Sequence, residues 1–168
     1  DAGRSLLYAA CEGVVCLEND GRFNAGVGSK RRDDGSVQMD ASCMDSEGRF
    51  GAVAVVEGYK NPVLIAQKLS ELPNKVLAGR GAASFAEAEG MEPLDPASIA
   101  PTSSAKSSDT VGCVAFDGAR FAAALSTGGT GGAPAGRVGD VPLIGCGLYA
   151  GPYGAVAATG KGEAIALN

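Results

Sequence analysis

Apolar runs of two different periods alternate along this chain, which predicts a layered domain of mixed α and β structure. Three features carry that expectation: helical spacing opened by Asn61-Pro62, a continuous Val-rich run over residues 51–57, and two apolar runs joined by Asp117-Gly118-Ala119. The first reads as a helix, the second as a strand buried on both faces, and the third as a hairpin.

Taken in order, Leu6, Leu7, Ala10, Val14 and Leu17 recur every three or four residues and predict an amphipathic helix over residues 2–17, with no cap ahead of it. Residues 21–29 form a glycine-bearing loop, and Asp33-Asp34-Gly35 turns into a strand over 36–43, where Val37, Met39 and Ala41 alternate with polar neighbours. After the 51–57 strand, Asn61 caps a helix carrying Pro62, Val63, Ala66, Leu69 and Leu72 that ends before Pro73. A shorter helix fits 81–89. Residues 91–108 turn to Pro, Ser, Ala and Thr and read as a mobile linker. Strands follow at 110–116 and 120–126, then a glycine-rich loop at 128–136, an irregular stretch at 139–151, a buried strand at 153–159 and a helix starting near Gly162. Both ends read as cut within an element.

With 168 residues the chain fits one domain, and a hydrophobic share of 45% excludes intrinsic disorder. Fourteen Lys and Arg against 19 Asp and Glu give a net charge of −5, and the longest basic run is Lys30-Arg31-Arg32, which argues against a nucleic-acid or anionic-membrane partner. No apolar stretch approaches a membrane span, and no leader-like start is visible. The chain has no histidine, which excludes every histidine-based triad and every histidine-ligated metal site. The five cysteines include no C-x-x-C pair and read as reduced, mostly buried thiols of a cytoplasmic protein. The loop STGGTGGAPAGR lacks the Gly-Lys-Ser/Thr ending of a phosphate-binding loop.

A nucleophile without histidine needs another base. Thr110 stands where the Ser-rich linker meets a strand, so cleavage before it would expose a threonine amino terminus. A free α-amine has a pKa of about 7.7–8.0 and can serve its own hydroxyl as base near neutral pH. On its own, a threonine ahead of a strand is an ordinary structural residue.

Its company says more. Leu17-Glu18 with Phe23-Asn24-Ala25-Gly26-Val27-Gly28-Ser29, Met39-Asp40-Ala41-Ser42 with Met44-Asp45, Lys60-Asn61-Pro62, Leu77-Ala78-Gly79 with Gly81-Ala82, Asp109-Thr110-Val111-Gly112, Ser126-Thr127-Gly128-Gly129, Gly136-Arg137-Val138-Gly139-Asp140 and Thr159-Gly160 with Gly162-Glu163 resemble the plant-type L-asparaginase and isoaspartyl peptidase family of N-terminal-nucleophile hydrolases. Order and spacing hold from about residue 6 to the C-terminus. The resemblance implies an α+β fold, a four-layer αββα sandwich, truncated here at both ends. It also implies one domain made of an α portion, 1–109 with its linker 91–109, and a β portion, 110–168, that begins at the nucleophile.

The implied roles follow position by position. Thr110 is the nucleophile, freed by self-cleavage of the Asp109-Thr110 bond. Thr127 hydrogen-bonds the nucleophile and its amine. Arg137 and Asp140 hold the substrate's α-carboxylate and α-ammonium, although without the resemblance a salt bridge between them is the ordinary reading. Thr159 and Gly160 match the oxyanion site, Gly162 lines the pocket, and Asn24 contacts the active centre. The carbonyls of Leu17, Glu18, Asp20, Phe23, Ala25 and Val27 match a loop that holds a structural sodium ion, with a plain tight turn as the alternative. No organic cofactor is implied.

The activity implied is hydrolysis of L-asparagine and β-aspartyl dipeptides through an acyl-threonine, by a cytoplasmic dimer of cleaved units. The alternatives are a taspase-like endopeptidase, whose motif reads Ser-Ser-Gly-Gly at 126–129, a glycosylasparaginase, which lacks Asn-Ala-Gly-x-Gly, and an uncleaved inactive homologue. The family's opening His-Gly-Gly-Ala-Gly-like strand and the elements after Gly162-Glu163 have no counterpart here, the linker is short, and Lys161 fills a position that is often histidine.

Overall fold

The computed structural model describes residues 5–99 and 110–167. The expected helix start at Ala2, the linker segment 100–109 with Asp109, and Asn168 lie outside the described residues. The elements are α1 (Leu6–Glu18), β1 (Met39–Asp45), β2 (Phe50–Val56), α2 (Pro62–Ser70), β3 (Val76–Ala78), α3 (Gly79–Ala88), β4 (Val111–Phe116), β5 (Phe121–Thr127), β6 (Leu148–Gly151), β7 (Gly154–Ala157) and α4 (Gly162–Ala166). Single 3-10 turns occupy Gly26–Gly28 and Pro96–Ser98.

β3, β2, β1, β5 and β4 form one sheet in that order, antiparallel except for the β2 and β3 pair, while β6 and β7 make a separate antiparallel ribbon. Period-two alternation along β5 divides the core. Ala122 and Ala124 face the helices, whereas Ala123 and Leu125 face the ribbon together with Val141 and Leu148. α1 lies across β4 and β5, α2 across β1 and β2, and α3 against β2. Helices, sheet and ribbon are therefore three stacked layers. The sheet runs through both halves of the chain, since β1 pairs with β2 on one side and β5 on the other.

Several expectations need correcting. α1 does have a cap, because the Ser5 hydroxyl accepts the Tyr8 N–H at 3.3 Å. Asn61 does not cap α2. The Glu18 carboxylate, arriving from the end of α1, accepts the Val63 N–H at 3.2 Å and the Asn61 side-chain amide at 2.9 Å. A buried carboxyl then meets the N-terminal end of α2, a cap between elements that local sequence cannot display. The strand expected at 36–43 begins only at Met39, and β3 was not anticipated. Residues 91–99 are not a free linker, because Pro93 bridges to Tyr59, and Leu94 and Ile99 are buried. The stretch read as irregular contains β6, and the strand read as buried at 153–159 is the half-exposed β7, with Val156 57% exposed. Of the five cysteines, all free, only Cys11 and Cys43 are buried. Among the described residues no helix is long and apolar enough to cross a membrane.

Candidate active site

The sheet register builds the centre of the site. Val111 pairs with Ser126 in the antiparallel β4 and β5 ladder, so Thr110 falls opposite Thr127 one step beyond. Their hydroxyls meet, Thr110 Oγ1 donating to Thr127 Oγ1 at 3.1 Å, and the Gly129 N–H donates to the same Thr127 oxygen at 3.1 Å. A cleft of about 150 Å³ opens over this pair and is lined by both threonines with Asn24, Arg137, Asp140, Thr159, Gly160 and Gly162. Eight residues picked out along 139 positions of sequence thus share one cavity. Lys30, Gly129, Thr130, Gly131 and Gly139 line it too and were missed. The glycine loop and the Gly-Asp pair pointed at four of these, whereas Lys30 had entered only as part of a basic run.

Charge in the cleft is unevenly satisfied. Asp140 is buried and its Oδ2 has no hydrogen-bond partner among the described residues. Burial pushes its carboxyl above the ordinary range, against the pull of the Arg137 guanidinium. An orphaned buried carboxylate oxygen at a cleft wall is costly unless a cationic donor arrives to occupy it. Arg137 does not form a salt bridge with Asp140. It donates from Nε and Nη2 to Glu163 Oε1 at 2.9 and 2.7 Å, and the Glu163 side chain is 69% exposed. The α4 carboxylate thereby fills the donor fork to which the family resemblance assigns a substrate carboxylate.

Asn24 straps together the loops on either side of Thr127. Its carbonyl accepts the Gly128 N–H at 2.8 Å, its side-chain amide donates to the Gly129 carbonyl at 2.6 Å, and its Oδ1 accepts the Lys30 N–H at 3.0 Å. The loop over 21–29 is thus tied to the loop that presents Gly129 to Thr127. Asp40 braces the other side: its carboxylate accepts the Val55 N–H at 2.8 Å and the Gly139 N–H at 3.3 Å. The Val55 contact holds that β-branched residue at φ 47°, a strained conformation, next to the register shift in β1.

Leu17, Glu18, Asp20, Phe23, Ala25 and Val27 lie outside the cleft lining, the first two at the end of α1 and the other four on the turn that follows it and carries Asn24. The turn is tight. A Cβ at Gly26 would stand 2.4 Å from the Glu18 carbonyl oxygen, and one at Gly28 would stand 2.0 Å from that of Phe23. Carbonyls of Leu17 and Ala25 accept the N–H groups of Asp20 and Gly28 at 3.3 and 3.1 Å. Side-chain chemistry offers no alternative metal site, since no cluster of three His, Cys, Asp or Glu residues exists among the described residues.

Comparison with known proteins decides the family. The profile of the Asparaginase family matches residues 1–106 and 97–167. The chain belongs to the asparaginase family. Among its asparaginase relatives, the isoaspartyl peptidase/L-asparaginase of Rattus norvegicus is 42% identical over 187 residues, covering 98% of this chain and 56% of its own length. The plant-type L-asparaginase of Pyrococcus furiosus is 37% identical, with 98% of this chain and 64% of its own covered. The isoaspartyl peptidase of Escherichia coli is 38% identical, with 97% and 60% covered. This asparaginase-family chain therefore spans between about half and two thirds of the length of these relatives.

Proposed function

We propose that this chain hydrolyses L-asparagine and β-aspartyl dipeptides through a covalent acyl-threonine at Thr110. The observation that carries the reading is the contact between the Thr110 and Thr127 hydroxyls inside a cleft that also holds Arg137 and the partnerless Oδ2 of Asp140. The names of the relatives, L-asparaginase and isoaspartyl peptidase, support the same substrates.

Maturation comes first. The Thr110 hydroxyl attacks the Asp109 carbonyl carbon and gives up its proton, the peptide C–N bond breaks and the nitrogen takes that proton to become the free α-amine of Thr110, and water hydrolyses the resulting ester to release the Thr110 hydroxyl and the carboxylate of Asp109. In turnover that amine takes the hydroxyl proton as Oγ1 bonds to the side-chain amide carbon of the substrate. The oxyanion forms against the Thr159 hydroxyl and the Gly160 N–H. The C–N bond then breaks, the leaving nitrogen collects the proton, and water hydrolyses the ester to release aspartate. Thr127 and Asn24 hold the nucleophile and its glycine loop, Asp140 receives the substrate ammonium, Arg137 the α-carboxylate, and Gly162 leaves room for both.

The carbonyl-rich turn of Leu17, Glu18, Asp20, Phe23, Ala25 and Val27 suits a sodium ion, because glycine at 26 and 28 lets main-chain oxygens converge where a side chain would intrude. Such an ion would brace Asn24 from behind. The two portions meeting at Thr110 would stay together after cleavage, held by the sheet that β1 and β5 share. Tyr149 and Val156, 46% and 57% exposed on the ribbon, support a further layer that completes a four-layer αββα sandwich. Family membership supports a dimer of cleaved units, and five free cysteines suit a reducing, cytoplasmic setting.

Intact mass and N-terminal sequencing of the full-length protein test the mechanism. Wild type is expected as two pieces, one starting at Thr110, with Thr110→Ser partly cleaved and active, and Thr110→Ala whole and inert. A fully active preparation with the Asp109-Thr110 bond intact would refute it.

A further inference from the structure

Lys30 has no part in the chemistry above, yet it lines the cleft beside Thr110 and Thr127. It is half-buried, its stem lies along Gly131 so closely that a Cβ there would stand 3.1 Å from Lys30 Cδ, and its backbone N–H is fixed to Asn24 Oδ1. Among the described residues no carboxylate forms an ion pair with its ammonium. A lysine seated in a cleft without a counter-ion is available to an anionic ligand.

The charges on the cleft wall define that ligand. The lining side chains that carry charge are Lys30, Arg137 and Asp140, two cations and one anion. Arg32 lies behind Gly129: it is buried, its Nε and Nη1 have no partner among the described residues, and it is balanced chiefly by the Asp40 carboxylate rather than by any group of the cleft lining. L-Asparagine brings one carboxylate and one ammonium, which Arg137 and Asp140 satisfy, and it leaves Lys30 unanswered. A β-aspartyl dipeptide brings one ammonium and two carboxylates, the second on the amino acid that leaves. Once a substrate carboxylate takes the place of Glu163 on Arg137, its charge complements that of the lining.

We propose that Lys30 binds the carboxylate of the leaving amino acid and thereby makes the cleft selective for β-aspartyl dipeptides over L-asparagine. The assignment rests on the hydrolase reading and deepens it. Lys30 touches the departing half of the substrate, so its contribution lies in substrate capture and appears in KM.

The test compares kcat/KM of the full-length, cleaved protein on a β-aspartyl dipeptide, on the same dipeptide with its C-terminal carboxylate amidated, and on L-asparagine. Wild type is expected to prefer the free dipeptide over its amide by about tenfold or more, the effect of one unshared charge pair of modest strength. Lys30→Met should bring that ratio close to one through a rise in KM, and Lys30→Arg should restore it. In wild type the ratio should also shrink as salt rises from about 0.02 to about 0.5 M, a reading that needs no variant to fold. A ratio near one in wild type, or a ratio unchanged in Lys30→Met, overturns the assignment while the hydrolase reading stands. No turnover of any of the three substrates overturns the hydrolase reading, and this assignment with it.

Discussion

Replacing Gly162 with alanine adds one methyl group to the cleft wall against Asp140 and Arg137. A Cβ at this position would stand 2.6 Å from Asp140 Oδ1 and 3.0 Å from Arg137 Nη2, whereas ordinary contact begins near 3.4 Å. The carboxylate must therefore retreat by about 0.8 Å, and the guanidinium by roughly half as much. Misplacing a substrate-positioning group by about 1 Å costs on the order of 100-fold in rate. The helix gains little in return, because Gly162 is the first residue of the five-residue α4, and crowding the buried Asp140 costs stability. Gly162→Ala should thus unfold at a temperature no higher than wild type, cleave normally at Thr110, and lose about 100-fold in kcat/KM on L-asparagine. Thermal melting, intact mass and steady-state kinetics on one preparation read all three. Unchanged kcat/KM in a variant confirmed by mass would refute the reasoning, since it would mean that Asp140 and Arg137 do not hold the substrate where the cleft places them.

Glu18 predicts a pH effect on stability. Burial raises its carboxyl from the ordinary 4.5 to about 7, so the folded state binds the proton more tightly than the unfolded chain does. The stability linked to that proton is fully present below about pH 4.5 and is lost as pH rises through 7, in all about 3 kcal/mol. Glu18→Gln should remove this share, measured as the difference in urea unfolding free energy between pH 5 and pH 8. An identical difference in wild type and variant would show that Glu18 is not buried in this way. Glu163→Gln removes the exposed competitor from the Arg137 fork, a solvent-screened ion pair of little strength, so KM for L-asparagine should fall by up to about fivefold. A higher KM in Glu163→Gln would instead make Glu163 a support for Arg137.

Residue order alone determined a good deal of this protein. α2 was legible because Pro62 and the spacing of Val63, Ala66 and Leu69 are local signals, and the hairpin of β4 and β5 was legible because Asp117-Gly118 is a turn written in adjacent residues. The absence of histidine pointed to a nucleophile that carries its own base, and the spaced motifs pointed to the eight residues that the fold gathers into one cleft. What stayed hidden depends on partners far away in the chain. β3 is three residues long and exists because Val76–Ala78 finds the open edge of β2. The cap of α2 comes from Glu18, 43 positions before Asn61, and acts only once α1 and α2 pack together. The partner of Arg137 is Glu163 rather than the nearby Asp140, because α4 folds back across the guanidinium. Lys30 was one charge in a basic run until the loop over 128–136 placed Gly131 against its stem and the cleft in front of it. A sequence records which charges a chain carries, but whether each is answered by a neighbour is a matter of distance and burial, and those exist only in the folded molecule.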